Sequence, residues 1–198
     1  MRVLVALLMV ALLASCAGPR TDDASPERVL AARYVPAGAP KLTLVTVVNN
    51  RTGKGGHTAL MVSGSEQVIF DPAGSFQHPD IPKRQDVIYG VTPGWFAAYK
   101  SAHARTTYHV VTQEVTVTPQ QAETALQLVK SNGAVGSAFC ANATSSLLRQ
   151  VPGFSDITTT FYPVNLQNQF AKRSGVRTDR YYENDAGDVL DGVRGVAQ

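Results

Sequence analysis

The chain of 198 residues holds only two cysteines, Cys16 and Cys140, and a single tryptophan. Two cysteines so far apart do not make a small disulfide-stapled domain, and no Cys/His/Asp spacing suggests a zinc site. Charge of one sign is also scarce. The formal net charge is +3, the basic residues are scattered, and no basic stripe carries interleaved aromatics. Nucleic acid is therefore not an expected partner. There is no P-loop, no GxGxxG after a strand and no GxSxG, so no cofactor is inferred. No internal repeat or low-complexity run is present. After residue 15, no apolar stretch approaches the roughly 20 residues needed to span a bilayer.

The apolar residues concentrate at the start. Met1-Arg2 is followed by an almost unbroken apolar run from Val3 to Leu13, then by Ala14-Ser15-Cys16. One positive charge, about ten apolar residues and small residues before a cleavage point make a secretory signal. Leu13-Ala14-Ser15-Cys16 resembles the lipobox of bacterial lipoproteins. That resemblance implies a signal peptide over residues 1–15, cut before Cys16, with diacylglycerol on the Cys16 thiol and attachment to a membrane through that lipid. Ala17 is not the aspartate that commonly marks inner-membrane retention, so the resemblance implies the outer membrane, facing the periplasm. Residues 16–40 carry Gly18, Pro19, Pro26, Pro36, Gly38 and Pro40 among polar neighbours, the composition of a flexible tether.

Residues 41–182 are enough chain for one domain with a sizeable core, and 183–198 form an acidic, then glycine-rich tail expected to be loose. Residues 41–49 alternate and are rich in Val, Leu and Thr, the pattern of a strand. Residues 57–63 and 66–71 flank a Gly64-Ser65 turn and form a hairpin. Further strands are expected at 86–91 and 107–118. Thr92-Pro93 opens a helix to about residue 102, with Trp95, Phe96 and Tyr99 on one side, either as core or as a pocket wall. Thr118-Pro119-Gln120-Gln121 is a capping box for a second helix, ended by Asn132-Gly133. A third helix begins near 137–140 and runs to Pro152-Gly153, and a fourth follows Pro163 and ends at Gly175. Strands first and helices later predict an α+β fold, a small antiparallel sheet packed by helices.

If Cys16 carries lipid, Cys140 is left without a partner in the chain. Such a thiol is buried and inert, bridged to another molecule, or a nucleophile. It lies where a helix begins, and a helix N-terminus stabilises a thiolate. The N–H groups of Cys140 and Ala141 would also suit an oxyanion. A thiol nucleophile needs a histidine to take its proton and a polar group to orient that histidine. His57 opens a strand after Gly55-Gly56, glycines that would let a substrate backbone approach. The hairpin brings Asp71 back toward His57, although Asp71 before Pro72 also suits a plain turn. His78 is the main rival, His109 suits packing, and His103 suits a solvated helix end.

Gly56-His57-Thr58-Ala59-Leu60-Met61-Val62 with Val68-Ile69-Phe70-Asp71 resembles the histidine hairpin of NlpC-type, papain-like cysteine hydrolases. Ser137 to Leu148 resembles their cysteine-bearing helix. The order His, Asp, Cys resembles the circularly permuted branch, which includes relatives of lecithin retinol acyltransferase. The resemblance covers under half of the domain and lies in pattern rather than long identity. It implies Cys140 as nucleophile, His57 as general base and then acid, and Asp71 as orienter. The implied substrate is an amide or ester of the cell envelope, either a peptidoglycan stem peptide or an acylated lipid or protein. The competing expectation is a non-catalytic lipoprotein that uses the same fold to bind an envelope partner, with Cys140 buried and unreactive.

Overall fold

A computed structural model describes residues 23–183. The expected signal peptide, Cys16 and all of the expected tail but Glu183 lie outside the described residues. The fold is α+β: among the described residues, one seven-stranded, wholly antiparallel sheet with five helices. The strands are β1 (Lys41–Asn49), β2 (Gly55–Ser63), β3 (Gln67–Phe70), β4 (Lys83–Arg84), β5 (Val87–Tyr89), β6 (Tyr108–Thr116) and β7 (Arg177–Tyr181), in the order β4-β5-β3-β2-β1-β6-β7. The helices are α1 (Pro26–Ala31), α2 (Pro93–His103), α3 (Pro119–Ser131), α4 (Cys140–Leu148) and α5 (Pro163–Phe170). No helix among the described residues is long and apolar enough to cross a membrane.

β1 lies between β2 and β6 and is buried on both faces, which explains its nearly continuous apolar sequence. Alternation sends Leu42 and Leu44 to one face, where they meet Leu60, Val62 and Phe70. There they pack under Leu126 and Val129 of α3, Leu147 and Leu148 of α4, and Leu166 and Phe170 of α5. Val45 and Val47 point the other way, with Ala59, Met61 and Ile69, and are covered by Tyr99 and Ala102 of α2. The sheet is thus the middle of three layers. Trp95 and Phe96 pack against this second cluster, so the aromatic side of α2 is core rather than a pocket wall.

The expected helix starts are observed. The Thr92 side chain accepts the Trp95 N–H at 3.2 Å, and Thr118 and Gln121 form a reciprocal capping box. Three features differ from the expectations. Residues 23–40, read as part of a tether, carry α1 and are bonded to the domain: Ala24 N–H donates to Lys83 O and Gln67 N–H donates to Tyr34 O. β4 is only two residues long and escapes pattern reading. β7 pairs with β6 after the last helix, at the end of the expected domain where no element was expected. Its residues are mostly exposed on both faces, so no alternation marks it.

Candidate active site

The β2–β3 hairpin sets the relation of His57 to Asp71. Leu60 pairs with Phe70, so His57 and Asp71 fall on the same face as diagonal neighbours just beyond the end of the ladder. The β1–β2 register shifts between Val47 and Val48, so a bulge lies beside His57, the kind of irregularity that re-aims a side chain. His57 Nε2 stands 2.8 Å from Asp71 Oδ1. The other ring nitrogen is therefore the one left for the thiol, and Cys140 and His57 are close enough to shift each other's titration. Cys140, His57 and Asp71, the three residues expected from the sequence, come together.

Cys140 is the first residue of α4 and is 7% exposed. Its helix has no side-chain cap, in contrast to those opened by Thr92 and Thr118. Ala143 N–H makes the first bond back to Phe139 O, at 2.8 Å, so the N–H groups of Cys140, Ala141 and Asn142 stand ahead of the helical ladder. The backbone N–H groups of Ala141 and of Thr58 on β2 favour the charged form of the Cys140 sulfur. Of the two oxyanion donors expected, Ala141 is thus also one of the groups that favour the thiolate.

Asp71 is fully buried and saturated with donors. Tyr99 Oη donates to Oδ1 at 2.7 Å, and Lys83 Nζ donates to Oδ2 at 2.9 Å. Lys83 also donates to Gly74 O at 2.8 Å. Burial opposes ionisation of Asp71, yet the hydrogen bond and charge of His57, with Lys83 and His103, hold its carboxyl well below the usual range. Burial likewise disfavours the His57 imidazolium, but hydrogen bonds and charge from Asp71 and Cys140 outweigh it and raise His57 to about 9. Burial pushes the Cys140 thiol up, and His57 and the two backbone donors together bring it below its ordinary value. The two shifts run in opposite directions, and both favour the thiolate–imidazolium form of the pair over the neutral one.

His103, expected as a solvated helix end, instead lies beside the site. Its ring stacks on His57 with centroids 5.9 Å apart, and Nδ1 is 2.7 Å from Tyr99 O. Burial, aided by the charges of His57 and Lys83, keeps it below its usual pKa. Its place at the end of α2, four residues after Tyr99, was the available signal. His78 contacts Trp95 with centroids 5.1 Å apart and accepts the Asp80 N–H, so it is no partner to the thiol. His109 stacks on Tyr182 and bonds Asn50 at 2.7 Å. His57, Asp71 and His103 also have metal-ligand atoms within 4.8 Å of one another. A divalent cation there would have to displace donors that Asp71 already accepts, including the Lys83 ammonium.

The two glycines before His57 have a different purpose from the one expected. A Cβ on Gly55 would stand 2.5 Å from Pro163 Cβ, and one on Gly56 would stand 3.0 Å from Tyr108 Cε1. They admit α5 and β6, not a substrate. Gly74 is tighter still, because a Cβ there would lie 2.0 Å from Asp71 Oδ2. Gly74→Ala is expected to displace the carboxylate and cost about 1–3 kcal/mol, as overpacking does. Urea unfolding checks this, and a stability equal to wild type would contradict it.

The described residues include four non-glycine positions with positive φ: Ala73, Gln85, Asp86 and Ala138. Such a conformation costs an L-residue roughly 1–2 kcal/mol. Ala73 lies two residues after Asp71 and Ala138 two before Cys140, so strain gathers around the site.

No known protein family matches the chain, and neither a curated protein nor a solved structure matches it. The chemistry of the site rests on its own geometry.

Proposed function

We propose that this chain is an envelope-anchored thiol hydrolase or acyltransferase of the permuted papain-like kind, acting on an amide or ester through Cys140, His57 and Asp71. The observation that carries this is a thiol at a helix N-terminus beside a histidine whose far nitrogen is 2.8 Å from a buried carboxylate, with thiol and imidazole each shifting the other's titration. Catalytic triads are recognised by such roles and geometry, independent of chain order.

The thiolate attacks the substrate carbonyl carbon, and the carbonyl electron pair moves onto oxygen. The Cys140 N–H receives that oxyanion. The Ala141 N–H joins it as the sulfur, now bonded to carbon, loses its charge. Collapse expels the amine or alcohol, which takes the proton from the His57 imidazolium. His57, now neutral, removes a proton from water or from an acceptor alcohol or amine, which attacks the thioester and restores the thiol. Asp71 keeps the imidazole oriented and supports its charge. The lipobox-like Leu13 to Cys16 supports a lipid anchor, which would hold the domain at the outer membrane facing the periplasm.

The test is turnover of peptidoglycan peptides and acyl esters by the full chain, with intact-mass detection of an acyl adduct. Wild type is expected to form one adduct at Cys140, and Cys140→Ser none. Activity should rise as the thiol ionises and fall as pH passes about 9, where the His57 imidazolium loses the proton it must donate. Turnover that survives Cys140→Ser, or no turnover of either substrate class, would overturn the proposal.

A further inference from the structure

Three of the strained or specially bonded residues near the site lie in the β4–β5 hairpin, which the mechanism above does not use. Arg84 pairs with Val87, so the hairpin turns on Gln85 and Asp86 alone. Both have positive φ, at 50° and 61°, the arrangement of a turn usually built from glycine or asparagine. The two-residue connection sets this conformation, and the choice of Gln and Asp over glycine or asparagine is what needs a reason. Hydrogen bonds made by the Gln85 and Asp86 side chains supply that reason.

These bonds run to both halves of the site. On one side, Asp86 O accepts the Asp71 N–H at 2.8 Å, Asp86 Oδ2 accepts the Ala73 N–H at 3.0 Å, and Lys83 holds the Asp71 carboxylate. On the other side, Asp86 Oδ2 also accepts the Val135 N–H at 2.7 Å, and Gln85 Oε1 accepts the Ala134 N–H at 3.2 Å. Residues 134 and 135 belong to the loop that leads through Ala138 into Cys140. Asp86 is 2% exposed, and a single carboxylate oxygen joins the turn after Asp71 to the loop before Cys140. Asp71 and Cys140 are 69 residues apart in sequence and lie on different layers, so their alignment needs such a link.

We propose that the β4–β5 hairpin is the positioning element of this site, with Lys83 fixing the Asp71 carboxylate and Asp86 tying the Asp71 turn to the loop that delivers Cys140. Neither residue touches the reacting atoms. Both act through groups that do, and the inference rests on the thiol chemistry proposed above. A shift of about 1 Å in a reacting group can change a rate by about 100-fold, so small slippage between the two halves is enough to be measured.

The test is the pH dependence of iodoacetamide alkylation at Cys140 in the full chain, resolved by peptide mass spectrometry, beside the thermal unfolding midpoint. The groups facing the thiol–imidazole pair are Asp71 at the end of β3, Lys83 on β4, and Tyr99 and His103 on α2. Asp86→Ala is expected to fold, to move the alkylation midpoint upward and to slow the reaction at pH 6.5 by about 10-fold or more. Asp86→Asn retains a carbonyl acceptor and a side chain that tolerates positive φ, so it should stay within about 2-fold of wild type. Lys83→Met, which removes the second link, should raise the midpoint as Asp86→Ala does, and it decides the matter if Asp86→Ala does not fold. A low wild-type midpoint left unchanged by Asp86→Ala, or by Lys83→Met, would overturn the positioning role alone. A wild-type thiol that titrates like free cysteine would overturn the proposed chemistry and this role with it.

Discussion

Asp71→Ala is expected to destabilise the protein more than any other single change in the site, by about 3–5 kcal/mol. The carboxylate is fully buried and accepts from three side chains: His57, Tyr99 and Lys83. Its removal leaves the Lys83 ammonium, only 11% exposed, without its counter-ion, and leaves the buried Tyr99 hydroxyl without its acceptor. An uncompensated buried charge costs more than the pair contributes, which is why removing one partner is far worse than replacing both. Lys83→Met combined with Asp71→Leu should accordingly recover part of the loss. Because the Asp71 carboxyl titrates well below an unfolded carboxylate, its contribution is complete above the unfolded value of about 3.9 and fades as pH falls toward the folded one. Urea unfolding at neutral pH and near pH 3 measures both effects. A loss no larger than that of an ordinary surface substitution would contradict this account of Asp71.

The largest kinetic effect is expected for His57→Ala. With His57 in place the thiolate is stabilised by the imidazolium. Without it Cys140 keeps its burial, which raises the thiol, and loses the main group opposing that burial. A thiol with a pKa of about 8.5 is about 1% ionised at pH 6.5, so alkylation of Cys140 should slow by about 30–100-fold. The lower figure allows for the greater intrinsic nucleophilicity of a more basic thiolate. His78→Ala, by contrast, should leave the rate unchanged, because His78 packs on Trp95. Equal slowing by both substitutions would point to a general loosening of the fold rather than to a Cys–His pair.

Much of this site was legible in the chain because its three principal residues sit on elements with strong local signals. A glycine turn between two apolar runs fixes the hairpin of β2 and β3, and pleat parity then puts His57 and Asp71 on one face. The α4 start was visible from the apolar spacing that follows Cys140. The supporting residues were not legible, for physical reasons that differ from case to case. Lys83 lies on a two-residue strand whose pairing depends on β5, and its side chain reads as an ordinary surface cation until Asp71 is placed beside it. Tyr99 looked like one more aromatic on a core face; its ring is core, but its hydroxyl is aimed at Asp71. Asp86 sits in a turn where aspartate is common, and only long-range bonds to residues 73 and 135 distinguish it. Gly55 and Gly56 signalled a close approach, which is correct, but sequence does not name what approaches. The structure puts Pro163 and Tyr108 there.

The same distinction applies to residues 23–40. Proline and glycine punctuation suggested loose chain, whereas Ser25 caps α1 and the Asp23 carboxylate accepts the Gln85 N–H at 2.8 Å. Composition reports the lack of a hydrophobic stripe, and it is silent on hydrogen bonds made to another part of the fold.

The central claim is that Cys140 and His57 form an ion pair, and the most direct measurement is an ultraviolet titration of the thiolate in the full chain carrying Cys16→Ser, which leaves Cys140 as its sole cysteine. The account predicts that thiolate absorbance develops below the free-cysteine pKa of about 8.5, with a second step at about 9 as the His57 imidazolium deprotonates. A single step at or above about 8.5 would contradict it and leave Cys140 a buried, unactivated thiol.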